Sequence, residues 1–595
     1  MALSSVASAI LKSSLLVSSL SQVATNGNSV FGTLQAPLIN EFLTNNPLPQ
    51  GFPWGTRTAN NSNPYENSPT TGVIRAYDFT IKRGFIAPDG VNKSVILVNG
   101  QFPAPLIEAN WGDTIQVKVR NEITGPEEGT ALHWHGLLQR ATPWYDGVPS
   151  VMQCPIPPGK SLTYQFKADI YGSSWYHSHY SGQYAGGLFG PMIIHGPKNV
   201  PYDRDVGPVL LSDWYHEEYF SIVKRVMAVG GARPFSDNSL INGKMNFDCS
   251  QLPAGDTRQC TPNAGIAKFR FVAGKRHRLR LINASSEALL RFSIDNHTMT
   301  VMANDFVPVK PYTTSVVTLG VGQRTDVIVE ANLPAGSAVF MRSFISRCSA
   351  ANQPLGLAAI YYDGADTTKT PTSVETPVND AECANDPLKD TIPFFPFPAT
   401  TQPATTVTIG IRREPNATGH QLWTMNRQTF RGNMNQPVLL LANRGNTSYP
   451  NDPQWNVYNF GTNNSIRIIL ENFSGGHHPM HLHGHNFNIL ADGVGKWDGT
   501  IVNQQNTQRR DVHIIRGAVG TSPGYIVLQF IADNPGVWPF HCHIAWHVSG
   551  GLYVNIMERP DRIQQRIIPD TIRQTCREWD AYTNTTVPDI IDSGL

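Results

Sequence analysis

The sequence predicts an all-β protein built from several sandwich or barrel domains, and three observations carry that prediction. Of its 595 residues, 40% are hydrophobic and only 15% charged, with 50 glycines and 44 prolines. Short runs rich in Val, Ile and Thr recur between Gly, Pro and Asn turn residues, which is the punctuation of short strands. The length, at roughly 100–200 residues per domain, gives room for three to five domains.

Composition also narrows partner and compartment. The net charge of +1 gives no electrostatic case for a nucleic-acid partner. No apolar run reaches the roughly 18–20 residues of a transmembrane helix, so no membrane association is expected. Residues 1–24 read as a secretory signal, with Lys12 as the early charge, LLVSSL as the apolar stretch and Val23-Ala24 at its end. N-x-S/T triplets begin at Asn60, Asn92, Asn283, Asn296, Asn416, Asn446, Asn463, Asn472 and Asn584, as a secreted glycoprotein would carry. Seven cysteines leave one thiol over. Cys542 has a use for a free thiolate, while Cys154, Cys249, Cys260, Cys348, Cys383 and Cys576 form an even set. Spacing alone allows a Cys249–Cys260 bridge and leaves the other pairings open.

Along the chain, residues 25–70 are rich in Asn, Pro, Ser and Gly and read as an N-terminal arm. Strand patterns then fill 71–198 (VIRAYDFTI, SVILVNG, TIQVKVRN), a segment ending in GPMIIHGP. A second set fills 199–365 (VLLSDWY, KFRFVAG, HRLRLINAS, TDVIVEA, AAIYYDG). Its histidines, His216, His277 and His297, are unclustered and are expected at the surface or locally hydrogen-bonded. Residues 366–405, rich in Thr, Pro and Asp, read as a linker draped over the surface. A third set of strands occupies 406–595 (TTVTIGI, SIRIILEN, FNILADG, YIVLQFIADNPGVW), with a helix expected over 570–581.

Ten of the 18 histidines sit in four clusters: 133/135, 177/179, 478/481/483 and 541/543/547. Surface histidines scatter, whereas these do not. The last cluster, HCHIAWHVSGGL, encloses Cys542. On a strand His541 and His543 would face one way and Cys542 the other, with single peptide links joining two metal centres. Imidazole suits copper, zinc and iron. One cysteine among ten histidines favours copper over a thiolate-rich zinc or iron–sulfur site. The absence of Asp and Glu from the clusters weighs against a di-iron carboxylate centre.

HWHG, HSH, HPMHLHGH and HCHIAWHVSGGL, in this order, resemble the four copper signatures of the multicopper oxidases, and the resemblance runs from about residue 70 to the end. HCHIAWHVSGGL, the HTMTV segment and the terminal DSGL are most similar to the ascomycete-type laccases within that family. The resemblance implies three cupredoxin-like β-barrel or sandwich domains and four copper ions, with no cofactor beyond copper. It implies a type-1 copper on His478, Cys542 and His547, and a type-2 copper on His133 and His481. The two type-3 coppers would take His135, His177, His179, His483, His541 and His543. His477 falls outside the motif and reads as a neighbour. Leu552 stands ten residues after the cysteine, at the axial place where many relatives carry Met. An aliphatic side chain cannot donate there, which raises the reduction potential.

The implied reaction is one-electron oxidation of phenols and aromatic amines, coupled to four-electron reduction of O₂ to water. Its partners would be these small substrates and O₂, and the chain would work as a secreted, extracellular monomer. Asp146, eleven residues after His135, matches the family's acidic residue near the trinuclear centre and would orient or deliver protons. The same Asp also reads as a turn residue before Gly147. Glu287 matches the acid that holds the phenol and accepts its proton, against the plainer reading of a solvated loop glutamate. Trp546 and Trp423 are candidates for the pocket wall beside His547, with core packing as the alternative. The family would also pair Cys154 with Cys576 and Cys348 with Cys383, and would use Leu595 as a plug of the channel to the trinuclear site. Competing readings are another multicopper oxidase (an ascorbate oxidase, bilirubin oxidase or ferroxidase) and a copper-binding protein without turnover.

Overall fold

Six β-sheets arranged in three pairs make up the framework. The computed structural model describes residues 29–44, 52–66, 68–449, 454–588 and 590–593. Strands within 74–195 form two four-stranded sheets, those within 204–362 a six- and a five-stranded sheet, and those within 405–558 a second such pair. Each pair closes face to face as a cupredoxin-like sandwich. The local reason is period-two burial. In Thr114–Asn121 the side chains of Ile115, Val117 and Val119 are buried while Lys118 is exposed, so one face feeds the core and the other meets water.

Gly536–Cys542 departs from that alternation because it is buried on both faces. It lies between Tyr553–Glu558 and His478–Leu482 in a five-stranded sheet. That register sets His541 opposite His481 and Met480 opposite Cys542. The first pair of sheets makes the equivalent arrangement by setting His133 opposite His177.

The largest apolar core runs without a break from the first sandwich (Trp134, Trp175) into the third (Trp538, Cys542), whereas most of the middle sandwich buries its own separate core. Burying each large apolar side chain stabilises by about 1.5–3 kcal/mol, so the first and third sandwiches are one cooperative body. A disulfide between Cys154 and Cys576, 422 residues apart, joins them again. Cys576 sits on the helix Asp570–Thr583, which buries Ile572, Thr575 and Trp579 on one face. Cys249–Cys260 and Cys348–Cys383 are also bridged, and Cys542 is free and buried.

Several expectations need adjusting. The described part of the arm is tied down: Phe31 and Ile39 pack on Ile193, and the Ile39 amide donates to the Asp205 carbonyl at 2.9 Å. The 366–405 linker laces the middle sandwich to the third, with Asn385 donating to the Ile514 carbonyl at 3.0 Å. His216, His277 and His297 are buried, not at the surface, and each is hydrogen-bonded within the fold. Among the N-x-S/T triplets, Asn283 and Asn472 are fully buried with their amides donating to backbone carbonyls, so the folded chain offers neither to a sugar. The signal at 1–24 lies outside the described residues.

Candidate metal centre

At the end of Gly536–Cys542 the chain turns into the short helix Ala545–Ser549. That turn carries His547 back beside Cys542. Sγ of Cys542 lies 3.5 Å from Nδ1 of His547 and 3.6 Å from Nδ1 of His478, and the two nitrogens are 3.0 Å apart. The three ligand atoms converge on one point. Nε2 of His478 meets Ser474 Oγ at 3.0 Å, which leaves Nδ1 for the metal. The Ile544 amide points at the sulfur from 3.4 Å. Leu552 is fully buried in the same core cluster as Cys542, and its carbonyl accepts from the Cys542 amide at 3.2 Å. Burial pushes the Cys542 thiol far up and the His478 imidazole down to about 3. Here a cation must drive off the thiol proton, while the imidazole is already in its ligand form.

The other eight histidines of the four clusters converge between the first and third sandwiches. Ring centroids of His133 and His483 are 4.1 Å apart, as are those of His135 and His481. Nε2 of His483 lies 3.0 Å from Nε2 of His541, and Nδ1 of His135 lies 3.2 Å from Nε2 of His543. Backbone carbonyls fix the ring orientations. Nδ1 of His133, His177, His481 and His541 faces the carbonyls of Asp146, Ser178, Asp511 and Cys542 at 2.7–2.9 Å. The opposite nitrogens of His133, His177 and His481 are buried without a hydrogen-bond partner. A buried nitrogen with no partner is costly unless something occupies its lone pair. Neutral imidazoles turned inward in this way fit copper. Burial, first among the causes, holds His135, His177, His179, His481, His483 and His543 well below the usual imidazole range.

Two aspartates support this shell. Asp146 is fully buried, with Oδ2 at 2.7 Å from Nδ1 of His483 and its carbonyl on His133. Gly147 explains how the turn comes so close: its φ is +88°, and a Cβ there would sit 1.7 Å from the Leu132 carbonyl oxygen. Asp146 therefore sits in the turn before Gly147 and against the histidine shell at once. The second aspartate, Asp511, was not singled out from the sequence. It lies where the chain passes from Gln508–Arg510 in one sheet to Val512–Ile515 in the facing sheet. Oδ1 lies 3.0 Å from Nε2 of His135, and the carboxylate receives Arg324 of the middle sandwich at 2.6 and 2.7 Å. Gly322, two residues before that arginine, faces His135 and His543 so closely that a Cβ would come within 2.9 Å of each ring. The middle sandwich thus reaches the cluster without supplying a histidine.

His547 alone among these ligands is partly exposed, and it opens on a cavity of about 380 Å³. Trp423 walls it, with ring centroids 4.4 Å from His547 and 4.8 Å from His478. Trp546 also lines the cavity, yet its ring is buried against Tyr215 at 5.4 Å, so it serves core and wall together. Glu287 lines the cavity as a buried group in an ion pair with Arg233, not solvated. Burial raises its carboxyl to about 7, against the pull of Arg233. His477 lines the same cavity. Arg233 lies in a loop without motif or spacing, and Ser474 reads in the sequence only as the end of the N-x-S triplet at Asn472. At the chain end Asp592 Oδ2 accepts from Ser181 at 2.7 Å and Ser549 at 3.2 Å, and Ser593 donates to the Val548 carbonyl at 2.7 Å. Leu595 lies outside the described residues.

Comparison with known proteins agrees with this geometry. Family models described as multicopper oxidase match residues 80–199, 205–365 and 413–562. The chain is 39% identical to oxidoreductase OpS5 of Beauveria bassiana, covering 89% of each chain. It is 37% identical to laccase-2 of Botryotinia fuckeliana, covering 91% of this chain and 92% of that one. The crystal structure of the laccase from Botrytis aclada superposes with a TM-score of 0.83 at 36% identity, covering 91% of this chain and 98% of that one.

Proposed function

The chain belongs to the multicopper oxidase family and has laccase-type function, and from that premise we propose how its residues divide the work. Four copper ions supply the redox chemistry: one withdraws single electrons from a phenol, and three together reduce O₂. Four phenols each lose one electron and one proton, and one O₂ gains four of each to give two waters.

His478, Cys542 and His547 would hold the electron-accepting copper, and Leu552, buried in the same core cluster as Cys542, brings no donor atom to it. His133 and His481 would hold the type-2 ion. His135, His177 and His543 would hold one type-3 ion, and His179, His483 and His541 the other. The observation that carries this reading is the adjacency of Cys542 to His541 and His543. One peptide link on either side joins the sulfur site to the imidazole shell, and His541 adds a 2.7 Å hydrogen bond to the Cys542 carbonyl. Asp146 and Asp511 orient the imidazoles and hold protons at the carboxylates that touch them. At the other end, Glu287 receives the phenol proton while Trp423, Trp546 and the edge of His547 hold the ring.

Aromatic amines fit the same cavity as neutral or weakly basic rings. A ferrous substrate fits poorly, because Arg233 and Arg413 line the cavity and Glu287 is its one acid. Secretion and an extracellular site of action are supported by three disulfides, and by exposed acceptor asparagines such as Asn60, Asn416 and Asn584. Among the described residues no helix is long and apolar enough to cross a membrane. We take the working unit as a monomer.

The test is the visible spectrum of the copper-loaded protein, with and without a phenol under anaerobic conditions. A strong red band that bleaches with phenol and returns with air is expected. A colourless copper-replete protein would remove Cys542 from the site and end the reading.

A further inference from the structure

The cavity beside His547 carries more positive charge than a neutral phenol requires. Two arginines line it, and Arg233 is committed, pairing with Glu287 and donating to the Cys348 carbonyl at 3.0 Å. Arg413 is different. The strand Thr405–Pro415 sets it directly opposite Trp423, and its guanidinium lies 6.0 Å from that ring's centroid. The next residue, Glu414, does not neutralise it. Glu414 is engaged by Arg427 at 2.9 Å and Thr424 at 3.2 Å. Among the described residues Arg413 has no ion pair, and it is exposed to the cavity mouth.

Trp423 therefore neighbours both groups, with its ring 4.4 Å from His547 between centroids and 6.0 Å from the Arg413 guanidinium. Glu287 and Arg233 pair with each other, so the surplus charge of the cavity is that of Arg413. A neutral substrate gains nothing from it. A phenol seated against Trp423 and His547 shares the cavity with Arg413, and a guanidinium recognises a carboxylate substituent in a planar, two-pronged manner.

We propose that this cavity selects phenols bearing a carboxylate or similar anionic group away from the hydroxyl, with Arg413 as the residue that recognises the anion. The proposal rests on the laccase reading of the cavity and adds the substrate class. The redox step is unchanged, with one electron and one proton leaving the phenol and the carboxylate serving only as a handle.

The test compares 4-hydroxy-3,5-dimethoxycinnamate with its methyl ester, at a pH where the carboxylate is ionised and the phenol is not. In the wild-type holoenzyme kcat/KM should favour the acid, and added salt should weaken that preference through KM. In Arg413→Gln the acid-to-ester ratio should fall by roughly three- to tenfold, as expected for a partly exposed charge pair, and Arg413→Lys should restore part of it. An unchanged ratio overturns the proposal. So does an equal fall for acid and ester, which would make Arg413 a prop for Trp423. A binding measurement separates this from the parent reading. By calorimetry, 4-methoxycinnamate, which lacks the phenolic hydroxyl, should bind the wild type more tightly than 4-methoxycinnamide and lose that advantage in Arg413→Gln. If the wild type oxidises neither phenol, the laccase reading fails while calorimetry still decides the anion site. Equal binding of acid and amide to the wild type overturns it.

Discussion

Asp146 Oδ2 and His483 Nδ1 lie 2.7 Å apart although 337 residues separate them in sequence. One carboxylate from the first sandwich thereby sets the ring of a histidine from the third. Replacing it with Asn keeps the shape and removes the charge. Asp146→Asn should lower O₂ consumption by about 10- to 100-fold, the usual effect of losing a partner behind a metal ligand. The red band of the Cys542 site should persist. Oxygen uptake and copper content measured together check this, and a variant that consumes O₂ normally would remove Asp146 from the proton path.

Glu287 gives a pH dependence with a definite sign. Burial raises its carboxyl from the ordinary 4.5 to about 7, and the carboxylate is the form that accepts a phenol proton. For a phenol that stays neutral, kcat/KM should rise with pH through about 7, and Glu287→Gln should abolish that limb. Stability runs the other way. Between 4.5 and 7 the folded chain holds a proton that the unfolded chain has released, so this group's contribution declines as pH rises across that window. Paired pH profiles of turnover and of urea unfolding test both halves.

Leu552→Met offers the sulfur site a thioether donor at nearly constant volume, a change that costs less than about 1.5 kcal/mol of stability. The reduction potential should fall and the most oxidation-resistant phenols should react more slowly. Redox titration of the red band measures the first effect. An unchanged potential would place the Leu552 side chain away from the axial position.

Arg324 is fully buried and spans Asp511, the Gly322 carbonyl and the Ser173 carbonyl. Arg324→Met leaves the Asp511 carboxylate without its main partner, which costs about 3–5 kcal/mol in comparable buried pairs. The variant should fold less stably and lose copper from the histidine shell before it loses the red colour. Copper stoichiometry against band intensity reads that order.

The histidine clusters were legible because histidine pairs on strands announce themselves at short spacing. TIQVKVRN and SIRIILEN were legible as strands because period-two patterns do not depend on distant partners. What escaped notice was whatever acquires meaning only after docking. Asp511 in QRRDVH is one acid among several until the sheet crossing sets it behind His135. Arg324 belongs to a sandwich that supplies no clustered histidine, and the partner that buries His216, Asp89, comes from another sandwich. Glu287 was recognised by likeness, but its burial depends on an Arg233 that carries no motif.

The continuous core and the Cys154–Cys576 bridge also constrain the order in which this molecule can be made. A ribosome delivers His133 to His179 some 300 residues before His478 to His543. Throughout that interval the first four imidazoles face a half-built cavity, and Cys154 has no native partner. Neither the metal shell nor the closing bridge can be finished until the carboxyl-terminal helix has emerged. Metal supplied too early would meet only loose histidines and a reactive thiol. A cell producing this enzyme therefore gains by keeping copper away from the nascent chain and delivering it late, to a polypeptide that is already whole.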